Sequence, residues 1–329
     1  MSTTEAPLDT VVWTALQEWD LEVKTITLAS KSENVVFKVT TASEETLALR
    51  FHRPGYNTLE ELNSEVVWSD ALNLAGIPTP AHIAAKSGAY YVPIAGQGAT
   101  IYQVGLIRWI PGELLDDRIK QASELNARAY FHSLGALLAN LHNQTSTWRA
   151  PTNFERRSWH ADGLVGPDPL WGKFWQAPAL TPTQQNYLKE VRKQVHNELR
   201  QLSMDKTSYG LIHADLHPRN VIVYGDGAAL GLQAIDFDDC GYGWHYYDIA
   251  VALNEFSGHD HYPSFQESLL DGYRSKRAIV DAERHLPLFF LIRVLISLGW
   301  LSARPELSST EQMARRVPAI INACENYLG

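Results

Sequence analysis

The segment LIHADLHPRNVIVYGDGAALGLQAIDFDDCGYGWHYYDIAVAL, Leu211 to Leu253, holds three polar residues whose types and spacing suit phosphoryl transfer. Asp215 stands five residues before Asn220, and Asp236 ends the second of two apolar runs that follow. Moving a phosphoryl group to a hydroxyl requires one carboxylate at the attacking oxygen and two oxygen donors for Mg²⁺. A carboxylate, a carboxamide and a second carboxylate meet those needs. Short apolar strands carry them: Leu211-Ile212 leads into the loop His213 to Asn220, Val221-Ile222-Val223 leaves it, and a glycine-rich turn at Gly225 to Gly227 precedes Ala234-Ile235-Asp236-Phe237-Asp238-Asp239.

A rival chemistry uses the same loop. His213, Asp215 and His217 alternate, and on a strand they would share one face and could hold zinc for hydrolysis. Pro218 follows at once, no further histidine cluster has ligand spacing, and the offsets to Asn220 and Asp236 would then be coincidence. His160, His245, His259 and His261 read singly as core or solvated residues, and Cys240 as a buried structural thiol. Most of the ten tryptophans read as core. Trp244 and the pair Trp171 and Trp175 stand apart, because they sit beside, or in a segment able to cover, the acceptor end, where an indole face could meet a cation.

Those residues need a scaffold, and 329 residues exceed the modal domain of ~150, so two packed units are expected. With 45% hydrophobic and 20% charged residues the chain has a globular composition. A net charge of −9 without a basic patch argues against nucleic-acid binding. Cys240 and Cys324 lie far apart, giving neither a disulfide framework nor a thiolate metal site. Met1 to Asp20 lacks the basic and apolar regions of a signal peptide. The most apolar stretch, Leu286 to Leu301, is shorter than the ~20 residues of a bilayer span and contains Arg293, so it reads as a buried helix. A cytoplasmic location without membrane attachment is the expectation.

The first hundred residues read as strand-rich with one helix. Asn34 to Thr40 and Thr46 to Phe51 alternate apolar and polar residues with period two, joined by a hairpin through Thr41 to Glu45. Leu59, Leu62, Val66, Val67 and Leu74 follow helical spacing, and Gly76, Pro78 and Pro80 stop that helix. A strand over Thr100 to Trp109 ends at Ile110-Pro111-Gly112. Beyond lie helical patterns with Leu125, Ala129, Leu137, Leu138 and Leu141; with Leu188, Val191, Val195, Leu199 and Leu202; with Phe265, Leu269 and Tyr273; and with Met313, Val317, Ile320, Ile321 and Cys324. Trp148 to Leu180, rich in Pro, Gly and Trp, is too apolar for a solvated linker and reads as an ordered excursion.

At this point the segment around Asp215 resembles the aminoglycoside phosphotransferase and choline kinase superfamily, whose loop reads H-x-D-x-x-x-x-N and whose metal motif is I-D-F/W-D/E. Tyr247-Asp248-Ile249-Ala250 is similar to that superfamily's D-L/I-A helix start. Leu49 to Gly55 (LRFHRPG), Arg108 to Gly112 (RWIPG) and Asp236 to Gly241 resemble the bacterial branch with homoserine-kinase-like and stress-response-kinase-like proteins.

The resemblance implies a two-lobed α+β fold like that of protein kinases: a small β-rich nucleotide-binding lobe over 1–107, a hinge over 108–113, and a larger mainly helical catalytic and substrate-binding lobe over 114–329. It implies ATP and Mg²⁺ as cofactors, Asp215 as the catalytic carboxylate, and Asn220 and Asp236 as metal ligands. Asp238, Asp239 and Trp244 would face substrate or metal. Arg50 stands where the family usually has a phosphate-binding lysine, with Glu65 as its ion-pair partner; arginine keeps the charge but is longer and planar. Ser32 and Asn34, in the loop Ser30 to Asn34, would cover the phosphates without a glycine. Backbone groups of Arg108 to Ile110 would bind adenine, and His213 would hold the loop's shape. The acidic cluster with Glu255 favours an amine-bearing small-molecule acceptor: an amino alcohol, amino acid or aminosugar. A protein Ser/Thr kinase of the stress-response type and a nucleotide-binding regulatory protein without turnover remain as alternatives.

Overall fold

The computed structural model describes residues 6–96, 98–225 and 230–329. Asp226 and Gly227 of the expected turn, and Met1 to Glu5, lie outside them. The chain divides into two units, one running to Pro111 and including Ala150–Glu155, the other comprising Gly112–Arg149 and Arg156–Gly329. The six residues 150–155, expected with the helical part, belong to the first unit; there the Glu155 N–H donates to Ser64 Oγ at 2.9 Å.

The first unit is an antiparallel sheet of β1 (Val23–Lys31), β2 (Val35–Thr41), β3 (Thr46–Phe51), β4 (His82–Ile83), β5 (Tyr91–Ala95) and β6 (Ile101–Arg108). The order is β1-β2-β3-β6, with β4 and β5 sharing the far edge of β6. Two helices accompany it where one was expected. The first, α1 (Ala6–Leu16), seats Val12, Ala15 and Leu16, together with Trp19 just beyond it, on Phe37, Val39, Leu47, Leu49 and Phe51. That helix lies in a short polar stretch with little apolar periodicity, and β1 is an edge strand whose residues are mostly exposed, so neither stands out in the sequence. The second, α2 (Leu59–Leu74), is opened by a capping box between Thr58 and Glu61 and packs Leu62 and Val66 on Tyr91. The expected half-buried pattern of β3 is a correction: from Leu47 to Phe51 every residue is buried, with β2 and β6 flanking the strand, α1 packed with Leu47, Leu49 and Phe51, and Arg50 paired with Glu65 of α2.

The second unit is mainly helical: α3 (Leu115–Gln121), α4 (Glu124–Thr147), α5 (Ala161–Val165), α6 (Pro182–Leu199), α7 (His245–Asn254), α8 (Tyr262–Arg274), α9 (Ala282–Ser302) and α10 (Thr310–Leu328). Two three-stranded sheets punctuate it: β11 (Gly231–Ala234), β10 (Val221–Tyr224) and β7 (Glu113–Leu114); and β8 (Ser158–Trp159), β12 (Gly241–Trp244) and β9 (Tyr209–Ile212). The buried face of α4 runs through Ala127, Phe131, Leu134, Leu138 and Leu141, so Leu125 and Ala129 turn to solvent against expectation. Helices α4 and α8 touch closely: a Cβ on Gly272 would lie 1.8 Å from the His132 carbonyl oxygen. The Trp148 to Leu180 segment is ordered, with Trp159, Trp171 and Trp175 buried. Among the described residues α9 is long and apolar enough to cross a membrane; here Leu286, Phe289, Ile292 and Ile296 are buried and the helix packs on α7 and α10.

Candidate active site

The Asp215 loop is fixed from below by a carboxylate. Asp248 is fully buried near the start of α7, where its Oδ2 accepts the His213 N–H at 3.0 Å and its Oδ1 the Ala214 N–H at 2.7 Å. Burial raises its pKa, against the pull of those donors. His142 of α4 supports it, with Nε2 at 3.1 Å from Asp248 Oδ2 and Nδ1 at 2.8 Å from the Tyr273 hydroxyl. Burial lowers the His142 pKa, so the ring is neutral: it donates from Nε2 and accepts at Nδ1. Ala214 is held at a φ of 67°, a left-handed conformation unusual for alanine, and the next residue is Asp215.

Hairpin register places the metal candidates. Strands β10 and β11 pair Val221 with Ala234, so Asn220 and Ile235 continue the same ladder. The Ile235 N–H donates to the Asn220 carbonyl at 3.0 Å, and the Ile235 carbonyl accepts from His213 Nε2 at 3.1 Å. Both ends of the loop thus grip the residue before Asp236, itself at a φ of 66°. His213 is buried, and burial lowers its pKa; with Nδ1 accepting the Asp215 N–H at 3.4 Å, both ring nitrogens serve the loop and none is left for a zinc ion.

Asp215 is surrounded by donors. Asn220 Nδ2 reaches its carbonyl at 2.9 Å and its Oδ2 at 3.3 Å, His217 Nε2 lies 3.4 Å from Oδ2, and Arg293 Nη2 lies 2.8 Å from Oδ1. Burial pushes the Asp215 pKa up, but His217 and Arg293 more than reverse this and hold it well below the usual carboxylate range. The His217 pKa is pulled down by burial and, more strongly, up by Asp215. The amide nitrogen of Asn220 is thus spent on Asp215.

The remaining candidates divide. Arg50 Nη1 lies 3.3 Å from Glu65 Oε1 within the first unit, both side chains buried, with His82 Nε2 of β4 at 3.9 Å from the same oxygen. Ser32 and Asn34 form a tight turn between β1 and β2: the Ser32 N–H donates to the Asn34 carbonyl at 3.0 Å, and Asn34 Oδ1 accepts the Arg53 N–H at 3.2 Å. Of the segment expected to bind adenine, the Arg108 N–H is spent on the Ala81 carbonyl and the Trp109 N–H on that of Thr46, while the Arg108 guanidinium pairs with Glu45. Among the described residues only the Ile110 N–H of these three has no backbone acceptor.

Asp238 and Asp239 are buried, and Asp239 Oδ1 receives Trp171 Nε1 at 3.3 Å and Arg157 Nη1 at 3.4 Å. Trp244 is a correction: it is 1% exposed, donates to the Ser203 carbonyl at 2.9 Å and packs on Tyr209 and Phe289, so its side chain belongs to the core. Trp171 and Trp175 already carry cations of the chain itself, Arg293 at 4.9 Å and Arg192 at 5.0 Å. Glu255 is paired with Arg219. The residue that sequence reasoning missed is Arg293, and its signal was the single charge in an apolar helix, which a buried setting must pair.

The chain is similar to proteins of known structure and to curated kinases. A solved structure of a microcompartment-associated aminopropanol kinase superposes with a TM-score of 0.84 at 28% identity, covering 97% of each chain. An amicoumacin kinase of Bacillus subtilis (strain 168) is 25% identical over 190 residues, 57% of this chain and 51% of the relative. A homoserine kinase of Nitrobacter winogradskyi is 33% identical over 164 residues, 49% of this chain and 47% of the relative. The chain therefore spans about half the length of the curated relatives it matches. The profile of the phosphotransferase enzyme family matches residues 24–286, and the chain is a member of that family.

Proposed function

We propose that the protein is an ATP- and Mg²⁺-dependent kinase that phosphorylates a hydroxyl group of a small, amine-bearing molecule. The observation that supports this reading is the double grip on Ile235, which ties the Asp215 loop to the strand end that bears Asp236. In this reading Asp215 orients the acceptor hydroxyl and receives its proton, while the hydroxyl oxygen attacks the γ-phosphorus and the bond to the β-phosphate oxygen breaks. Asn220 and Asp236 would hold Mg²⁺, which when bound neutralises charge on the transferring phosphates. Arg50, fixed by Glu65, would contact the phosphates, and the Ile110 N–H would meet the base.

The amine preference rests on the carboxylates Asp236, Asp238 and Asp239 together with full-length similarity to an aminopropanol kinase. An ammonium on the acceptor would be complementary in sign to these carboxylates.

The test is ADP release from Mg²⁺-ATP by wild type and Asp215→Ala, against pooled amino alcohols, amino acids and aminosugars, with neutral alcohols and sugars as a second pool. Stimulation by the amine pool that vanishes in the variant is the expected result. Stimulation by neutral acceptors alone would overturn the amine preference. ATP binding without stimulation by either pool would overturn the small-molecule kinase and favour the regulatory reading, or the protein kinase if label enters protein substrates.

A further inference from the structure

Arg293 is the one basic residue in the apolar middle of α9, and its side chain is 9% exposed. A guanidinium buried there is costly unless it is paired and hydrogen-bonded. Both of its terminal nitrogens are paired. Nη2 donates to Asp215 Oδ1 at 2.8 Å, Nη1 lies 3.4 Å from the Tyr247 hydroxyl, and the guanidinium plane covers Trp171 at 4.9 Å. Trp171 is held in turn by its indole N–H on Asp239. The contact at Oδ1 is short and charge-assisted, whereas those at Oδ2, from Asn220 and His217, are 3.3 and 3.4 Å.

This asymmetry distinguishes the two oxygens of one carboxylate. We propose that Arg293 is a positioning residue for phosphoryl transfer, holding Asp215 by Oδ1 so that Oδ2 is presented to the acceptor hydroxyl. The proposal rests on Asp215 being the acceptor-side carboxylate. Arg293 does not touch the reacting atoms. It fixes the plane of the carboxylate, and the stack on Trp171 with the hydroxyl of Tyr247 fixes Arg293.

A misplaced catalytic group lowers turnover without loosening nucleotide. The variants are Arg293→Met, which keeps an apolar stem, and Arg293→Lys, which keeps the charge but loses the fork. Rates are read as ADP release with an equimolar pool of ethanolamine, 1-amino-2-propanol and homoserine, and with water alone as acceptor; ATP affinity is read separately by titration. The expected fall in kcat is about 10²-fold for Arg293→Met and about tenfold for Arg293→Lys, with ATP affinity kept within about twofold. Arg293→Met placed in an Asp215→Asn background should cost little more, because both changes remove one function.

Turnover by Arg293→Lys equal to wild type would overturn the proposal, as would a loss of ATP affinity parallel to that of turnover, or full additivity with Asp215→Asn. If Arg293→Met does not fold, Arg293→Lys alone decides. Asp215→Asn turning over at the wild-type rate would instead overturn the reading of Asp215, a result separate from any outcome at Arg293.

Discussion

Asp248 Oδ1 accepts the backbone N–H of Ala214 at 2.7 Å, and so a carboxylate buried in α7 sustains an alanine in the left-handed region. Such a backbone costs of order 1–3 kcal/mol. Hydrogen bonds to a charged acceptor are worth about 1.5–3 kcal/mol each, and Asp248 makes two of them with this turn, the second to His213. The magnitudes show which effect wins. The strained turn persists because a buried charge is aimed at it, and the turn in turn directs Asp215 toward Arg293 and Asn220.

Asp248→Asn removes that charge and leaves one acceptor oxygen where two backbone donors converge. An amide N–H₂ then faces either His213 or Ala214, donor against donor. The expected loss is about 2–4 kcal/mol of stability, seen as a lower urea midpoint at unchanged slope, with kcat reduced more than KM. A wild-type midpoint would show that the turn holds without Asp248.

Stability should also fall in mild acid, through histidines that cannot take up protons when folded. Burial lowers the pKa of His142, of His213 and of His245, the last to about 2, whereas the unfolded value is about 6.5. Below that value the unfolded chain binds protons that the folded chain refuses. Each such histidine then removes about 1.4 kcal/mol per pH unit. His217 acts oppositely: its pKa is raised by Asp215, so its contribution is present in acid and fades as pH rises through the raised value. Four histidines are lowered, His285 among them, against one raised. The urea midpoint is therefore expected to drop from pH 7 to pH 5, and His245→Asn, which can keep the bond to the Thr207 carbonyl, should flatten the slope by about one proton. An unchanged slope in that variant would exclude His245 as a source.

Much of this site was legible because its chemistry is local. Asp215, Asn220 and Asp236 lie within or beside a hairpin whose strands are short apolar runs, and these strands pair Val221 with Ala234. Arg50 and Glu65 were legible as a strand residue and a helix residue of one unit. Other contacts depend on long-range packing that no spacing encodes. Arg293 meets Asp215 from 78 residues away, and the sequence marks it only as a charge in an apolar helix. Trp244 misled because proximity to an acidic motif says nothing about side-chain direction: as the last residue of β12 it turns into the core against Phe289. Strand β1 escaped notice because an edge strand with exposed faces has little apolar alternation to show.

In the proposed function Asn220 would have two roles, which one substitution separates. Its Nδ2 donates to the Asp215 carbonyl and to Oδ2, and its carboxamide oxygen would face the cation. In Asn220→Asp the donor becomes a second carboxylate oxygen, set against two acceptor oxygens of Asp215. Like charges at that range disfavour each other strongly. If Asn220 acted only as a metal ligand, an added negative charge would tighten Mg²⁺ and preserve turnover. Because it also holds Asp215, turnover should instead fall by about 10²-fold even at saturating Mg²⁺, while chelation by EDTA abolishes the activity of wild type and variant alike. A Mg²⁺ titration of ADP release on both proteins measures this. Recovery of the wild-type rate at high Mg²⁺ would reduce Asn220 to a metal ligand and leave Arg293 and His217 as the groups that orient Asp215.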